Sequence, residues 1–166
     1  MNPFLVRPVE PQDFAGIARI YRHYVLEGTA TFEIDPPSPE AMLARHADIA
    51  TLGLPYLVAE LNGAVAAYAY ASAYRPRPAY RFTIEDSIYV DPEHTGQGCG
   101  RILLNALLEI CANGPWRQVI AVIGDSANHR SIRLHEHFGF RHVGTLEAVG
   151  FKFDNWIDTV LMQKAL

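Results

Sequence analysis

Apolar residues along this chain switch between two spacings, and the breaks between them fall on prolines, glycines and capping residues. Residues 4–9 read as a short strand that Pro8 and Pro11 end. From Gln12 or Asp13, the recurrence of Phe14, Ile17, Ile20, Tyr21, Tyr24 and Val25 predicts one buried face of a helix, closed by Gly28. Residues 29–33 continue as an extended loop. Ser38-Pro39-Glu40 opens a second helix, with serine as the cap and proline in the first turn, where no backbone N–H is needed; it runs to about Leu52. Tyr56–Leu61 and Ala64–Ala73 predict two strands joined by Asn62-Gly63, a dipeptide that tolerates the positive φ of a two-residue hairpin turn.

β-Branched and aromatic residues dominate 82–90, which reads as a strand broken by Asp91-Pro92. Phe82, Ile84, Ile88 and Val90 share one face, while Arg81, Thr83, Glu85, Ser87 and Tyr89 share the other. Asp86 falls on the apolar face, where a carboxylate is costly, so a bulge near residues 85–87 is expected to re-aim the chain. Ile102, Leu103, Leu107, Leu108 and Ile110 stripe a third helix that stops at Asn113-Gly114-Pro115. The near-continuous apolar run 118–123 predicts a strand covered on both faces. A short helix over 131–138 ends at Gly139, and 141–146 and 156–163 read as two closing strands. Residues 1–166 are therefore expected to form a single α/β domain.

The net charge of −4 argues against a nucleic-acid surface, which needs a clustered excess of lysine and arginine. The arginines are local instead: Arg75, Arg77 and Arg81 surround one loop, and Arg130 and Arg133 another, as expected for a small anionic ligand. Cys99 and Cys111 have no metal or redox spacing and fit a reducing compartment. No leader pattern is visible at Met1-Asn2-Pro3-Phe4, and no apolar run is long enough for a membrane span, so a cytoplasmic protein without a membrane partner is expected. His135 and His137 point to different faces of a helix and nothing completes a zinc set, so no metal is expected.

Chemistry concentrates where the strand over 82–90 passes into the third helix. Gly96, Gly98 and Gly100 lie between them, and glycines there let N–H groups close on an anion at the positive end of the helix. A P-loop would place Lys and Ser or Thr after Gly100, where Arg101 and Ile102 stand, and a dinucleotide fingerprint would place a third glycine at Arg101. Neither pattern fits.

The block Glu93-His94-Thr95-Gly96-Gln97-Gly98-Cys99-Gly100 resembles the pyrophosphate loop of the GNAT acyl-CoA-dependent N-acetyltransferases. Residues 80–90, with Ser131-Ile132-Arg133-Leu134-His135-Glu136 and Gly150-Phe151-Lys152, are similar to the branch that acetylates phosphinothricin and methionine sulfoximine or sulfone. Thr95 departs from the loop motif, which usually has Gln or Arg there, and so removes one side-chain contact to the phosphates. The resemblance covers almost the whole chain. It implies a mixed, mostly antiparallel central sheet flanked by helices, with acetyl-CoA as co-substrate, a small amino-acid acceptor and a homodimer joined through the C-terminal hairpin.

The resemblance implies cofactor contacts at Ile88, Tyr89 and Val90, where the family splays its strands and frees N–H groups for the pantetheine arm. Further contacts would come from Gly96, Gln97, Gly98, Cys99, Gly100 and Arg101, and from Asn128 and Ser131, Asn128 being otherwise only a helix cap. The acceptor would meet Phe32, Arg75, Pro76, Arg77, Glu85, Asp86, Ser87 and Lys152. Phe32 reads equally as a core cap, and Arg75-Pro76-Arg77 as a solvated turn. As cations held by stiff prolines, those arginines suit a carboxylate or the oxygens of a phosphinate or sulfone.

Acetyl transfer also needs a base for the ammonium and a proton for the leaving thiolate. Glu85 is the candidate base, or else a carboxylate paired with Arg81 or Arg77, or a binder of the ammonium. His135 stands where many of the family have a tyrosine that protonates the thiolate; it would relay that proton or serve only structure. Two rival readings are a peptide N-acetyltransferase and a non-catalytic acyl-CoA-binding regulator.

Overall fold

The computed structural model describes residues 3–166; Met1 and Asn2, part of the stretch read for a leader, lie outside the described residues. In chain order the elements are β1 (Leu5–Pro8), α1 (Phe14–Glu27), α2 (Pro39–Thr51), β2 (Tyr56–Leu61), β3 (Ala64–Ala73) and β4 (Thr83–Val90). They are followed by α3 (Cys99–Ala112), β5 (Gln118–Gly124), α4 (His129–His137), β6 (Arg141–Lys152) and β7 (Asn155–Ala165). The strands form one seven-stranded sheet in the order β1-β2-β3-β4-β5-β7-β6. Among the described residues only β4 and β5 pair in parallel; the other five pairings are antiparallel, which is the mixed, mostly antiparallel sheet that the resemblance implies.

Strand β3 shows how the sheet serves two cores. Its odd residues, Ala67, Ala69 and Ala71, are small and let α3 close on that face, where Leu103, Leu104 and Leu107 are fully buried. Each such leucine contributes about 1.5–3 kcal/mol on burial, so α3 is held by its stripe rather than by helix propensity. On the opposite face Tyr68, with Tyr56 and Val58, packs against Phe14, Ile17 and Ile20 of α1. Tyr56, Tyr68 and Tyr70 stack in a row there, and Tyr89 of β4 continues it.

Local signals placed most boundaries. Ser38 caps α2 by accepting from the Ala41 N–H, and Asn62 and Gly63 take φ of 52° and 82° in the hairpin turn. Three expectations need correction. No bulge interrupts β4: its register with β3 is continuous from Ile84 to Val90, and Asp86 stays on the buried face because a histidine partners it there. Strand β5 is not covered on both faces, since Val122 is 40% exposed beside an open cleft. The closing strands are longer than the alternation indicated, because Gly150-Phe151-Lys152 belongs to β6 beyond an irregularity at residues 146–150, where Ala148 takes φ 51°. Among the described residues no helix is long and apolar enough to cross a membrane.

Candidate active site

Strands β4 and β5 separate part-way along. They pair from Thr83↔Gln118 to Asp86↔Ala121 and no further, while β4 stays paired with β3 as far as Val90. In an antiparallel ladder alternate residues turn both backbone groups to the same neighbour. Asp91 N–H donates to Ala66 and Tyr74 N–H to Thr83, so the odd residues of β4 face β3; the Phe82 carbonyl, an even one, accepts from Arg117 on the β5 side. The backbone groups of Ile88 and Val90 therefore open into the split, where Tyr24 Oη donates to the Val90 carbonyl. The split floors a cleft of about 610 Å³.

At the end of the split, Gly96 and Gly98 take φ of 80° and 89°, in the left-handed region, and the space a Cβ would occupy beside either is open. Gly98 is the N-cap of α3, so the free N–H groups and the positive end of that helix meet the cleft. Arg101, Arg130 and Arg133 line it as well, supplying cations suited to phosphates. The residues thus fit an extended, diphosphate-bearing substrate with a polar, strand-like arm, as acyl-CoA is. Gly98→Ala is expected to weaken acetyl-CoA binding about tenfold, from a strain of about 1–2 kcal/mol at that φ, with the KM for the acceptor unmoved; isothermal titration reads the first and steady-state rates the second.

The odd side chains of β4 form a different wall, on the side of α1 and α2. Glu85 lies there with Ser87 and Tyr89, opposite Ser72, Tyr70 and Tyr68 of β3. Burial, and then the charge of Asp86 beside it in the chain, push the Glu85 carboxyl up to about 7. A carboxylate with that affinity takes protons from an amine near neutral pH far better than an ordinary glutamate. Tyr70 of this wall feels the charges of Glu85, Arg45 and Glu33; Tyr21 Oη bonds Glu33 at 2.9 Å and Thr31 at 2.7 Å, and Arg45 grips Glu33 with two nitrogens at 2.6 and 3.1 Å.

Residues 17–140 match the sequence model of the acetyltransferase (GNAT) family. The chain belongs to the GNAT acetyltransferase family. It is 55% identical over 161 residues to a phosphinothricin N-acetyltransferase of Alcaligenes faecalis, covering 97% of this chain and 82% of that one. It is 37% identical to an L-methionine sulfoximine/L-methionine sulfone acetyltransferase of Salmonella typhimurium, covering 97% and 94%. Among solved structures, the crystal structure of a GNAT superfamily phosphinothricin acetyltransferase from Sinorhizobium meliloti in complex with AcCoA superposes with a TM-score of 0.94 at 47% identity, covering 99% of this chain and 89% of that one.

Of the residues the sequence assigned to the co-substrate, this GNAT fold brings all but one to the cleft: Ile88, Tyr89, Val90, Gly96, Gly98, Cys99, Gly100, Arg101, Asn128 and Ser131 line it. Gln97 does not, because its side chain folds back onto the Glu93 carbonyl. Asn128 also caps α4 by accepting from the Ser131 N–H. Thr95 lines the cleft while its hydroxyl donates to the Pro92 carbonyl.

The acceptor set is distributed differently. Glu85 and Ser87 share the α1-side wall, and Phe32 lies flat on Gly150, where a Cβ would sit 2.3 Å from the ring. Arg75, Pro76 and Arg77 are exposed in the β3–β4 loop and outside the cleft, with Arg75 over the Tyr74 ring. Two of the set have partners within the protein. Asp86 faces α4, opposite Glu85, and its carboxylate is taken by His135. Lys152 is buried, and its ammonium donates to the carbonyls of Tyr24, Gly28 and Thr31 at 3.2, 2.7 and 2.8 Å. All three of its donors are used on the backbone, so it ties down the loop that carries Phe32. His135 is buried too, with both ring nitrogens engaged.

Sequence reasoning left several cleft residues unassigned. Arg130 and Arg133 read from the sequence as local charge suited to a small anionic ligand, without assignment to the co-substrate; their spacing on a helix opening at Asn128 is the signal that could have placed them there. Tyr24 read as one more residue of the buried stripe of α1. No local pattern marked the Glu33–Arg45–Tyr21 network, whose members come from three separate segments.

Proposed function

We propose that this protein transfers acetyl from acetyl-CoA to the α-amino group of a small amino acid analogue, with methionine sulfone, methionine sulfoximine and phosphinothricin as acceptors. The whole chain acts as one acetyltransferase domain, and transfer is direct, in a ternary complex. The observation that carries this reading is Glu85, a carboxyl held near neutral pKa on the wall facing α1 and α2, one residue before β4 and β5 part. Glu85 accepts the ammonium proton, the amine attacks the thioester carbonyl, and Ile88 and Val90 hold the pantetheine arm by strand-like hydrogen bonds. Gly96, Gly98 and Gly100, with Arg101, Arg130 and Arg133, take the phosphates. Arg75 and Arg77 meet the acceptor's anionic end from the β3–β4 loop. The names of the relatives support the acceptor class.

The assembly is a homodimer built on the β6–β7 hairpin. Its support is a row of exposed apolar side chains there, including Val149, Phe151, Phe153 and Trp156, the last 69% exposed. Light scattering is expected to give about twice the 18.5 kDa chain mass.

The test is free-thiol release from acetyl-CoA with methionine sulfone, methionine sulfoximine, phosphinothricin, ordinary amino acids and a short peptide. Release with the sulfone-type acids and not the peptide is expected. Release with the peptide alone would overturn the acceptor, and acetyl-CoA binding without release to any amine would make the protein a regulator.

A further inference from the structure

Residues 28–38 join α1 to α2 without a helix or strand, yet the first half of this connection is held at Gly28, Thr29, Thr31 and Glu33. Lys152 takes the carbonyls of Gly28 and Thr31, and the Thr29 hydroxyl donates to Asp125 at 2.8 Å. Gly124 lies so near the Thr29 carbonyl that a Cβ there would sit 2.4 Å from it. Glu33 is the last of these anchors, and Ile34 after it is 68% exposed. It ties the loop to α2, where Arg45 grips both of its carboxylate oxygens.

Proton positions in this network follow from the partners. Burial pulls the Glu33 pKa up, but the hydrogen bonds of Arg45 and Tyr21, with the Arg45 charge, leave it below the ordinary value, so the carboxylate is ionised and only accepts. Tyr21 Oη therefore donates to Glu33 and, its one proton spent, accepts from the Thr31 hydroxyl. Thr31 Oγ1 accepts in turn from the Glu33 N–H at 3.3 Å. The two residues flanking Phe32 are thus closed into one ring of hydrogen bonds that Arg45 pins to α2. Phe32 between them is seated on Gly150. The network meets the Glu85 wall through Tyr21, whose ring stands edge-on to Tyr89 at 5.1 Å, and through Tyr70, on which the charges of Glu85, Arg45 and Glu33 all act.

Resting on the acetyl-transfer reading above, we propose that Glu33 and Arg45 are positioning residues: their ion pair latches the 28–33 loop to α2 and holds Phe32 in place as the apolar wall for the acceptor's side chain. The latch acts on acceptor affinity and leaves the reaction and the co-substrate to other elements.

Exposed ion pairs contribute little when isolated; a forked Arg–carboxylate contact inside a network is the exception. Its effect here is preorganisation, since an acceptor that meets a seated loop has no loop ordering to offset. When only about a third to a tenth of molecules keep the loop seated, apparent acceptor affinity falls about threefold to tenfold. A direct grip of Arg45 on the acceptor's anionic end fits the geometry less well, because both of its terminal nitrogens already face a carboxylate that offsets its charge.

The experiment is a double-mutant cycle on Glu33→Gln, Arg45→Gln and the double variant. It is read by steady-state kinetics with methionine sulfone and phosphinothricin, and by NMR hydrogen exchange at the amides of residues 31–34 without substrate. Each single variant is expected to raise KM for both acceptors about threefold to tenfold, with kcat and KM for acetyl-CoA within about twofold, and to speed exchange at those amides. The double variant should match either single one, because the second substitution finds the latch already open. Single effects that multiply in the double variant overturn the proposal, and so does unchanged exchange. A KM that rises in Arg45→Gln alone, and more for phosphinothricin than for the sulfone, overturns it as well and makes Arg45 a direct reader of the acceptor's anion. A protein that acetylates none of the acceptors yet shows the same non-additive change in exchange would overturn the function and leave the latched loop standing.

Discussion

Replacing Glu85 by Gln is expected to lower kcat/KM for acetyl transfer by about 10²–10⁴-fold and to erase the acid limb of the pH profile. In the wild type that limb rises with unit slope and bends near the Glu85 value of about 7, because the base works only when ionised. The amide keeps the shape of the side chain and removes its proton affinity, so loss of rate with retained acetyl-CoA binding isolates the base. A Gln variant that keeps full turnover and the same limb would reduce Glu85 to a binder of the acceptor ammonium.

Stability gives an independent reading of the same group. The folded Glu85 holds its proton more tightly than the unfolded chain does, so the folded state loses stability as pH rises from the ordinary carboxylate range through about 7. Thermal melts should therefore find Glu85→Gln more stable than the wild type on the alkaline side and level with it in acid. If Glu85 is the base, as proposed, the same desolvation that tunes it for proton transfer lowers stability on the alkaline side.

The second large effect is expected at Lys152. Lys152→Met removes the ammonium and takes a donor from the carbonyls of Gly28 and Thr31, while that of Tyr24 still accepts from the Gly28 N–H. An orphaned buried acceptor costs about 1–3 kcal/mol, and with partial relaxation the loss should reach about 3 kcal/mol, or roughly 6–12 °C in Tm for a chain of this size. The loop over residues 28–33 should loosen with it. That loop carries Phe32, seated on Gly150, and Thr31 and Glu33, bonded to Tyr21. The KM for the acceptor is accordingly expected to rise about tenfold while that for acetyl-CoA holds, since the phosphate turn lies on other elements. Equal losses in both would show that Lys152 serves general stability alone.

The elements differ in how far they were legible for reasons of range. The Asn62-Gly63 turn, the Ser38 cap and the glycines at the start of α3 act within a few residues, where φ preferences and capping operate; the structure has the turn and the cap where the sequence put them, and Gly96 and Gly98 before the helix, with Gly100 already in its first turn. The period-2 alternation of 82–90 also placed Glu85 on one wall and Ile88 and Val90 with their side chains on the other. Where pattern reading failed, the deciding contact was distant. Asp86 looked like an error to be repaired by a bulge because its partner, His135, is 49 residues away. Lys152 looked like a ligand-binding cation because the carbonyls that saturate it lie 121 to 128 residues earlier.

By itself, then, the sequence determined the local vocabulary of this protein: most strands and helices, an anion-binding turn at a helix start, and a strand that carries a carboxylate toward it. Those features depend on backbone preferences and side-chain periodicity, which each short segment expresses alone. Tertiary structure decided which charges are free to act. Burial raised Glu85, a histidine claimed Asp86, three carbonyls claimed Lys152, and the parting of β4 from β5 opened the cleft, because desolvation and hydrogen-bond satisfaction exist only once distant segments pack.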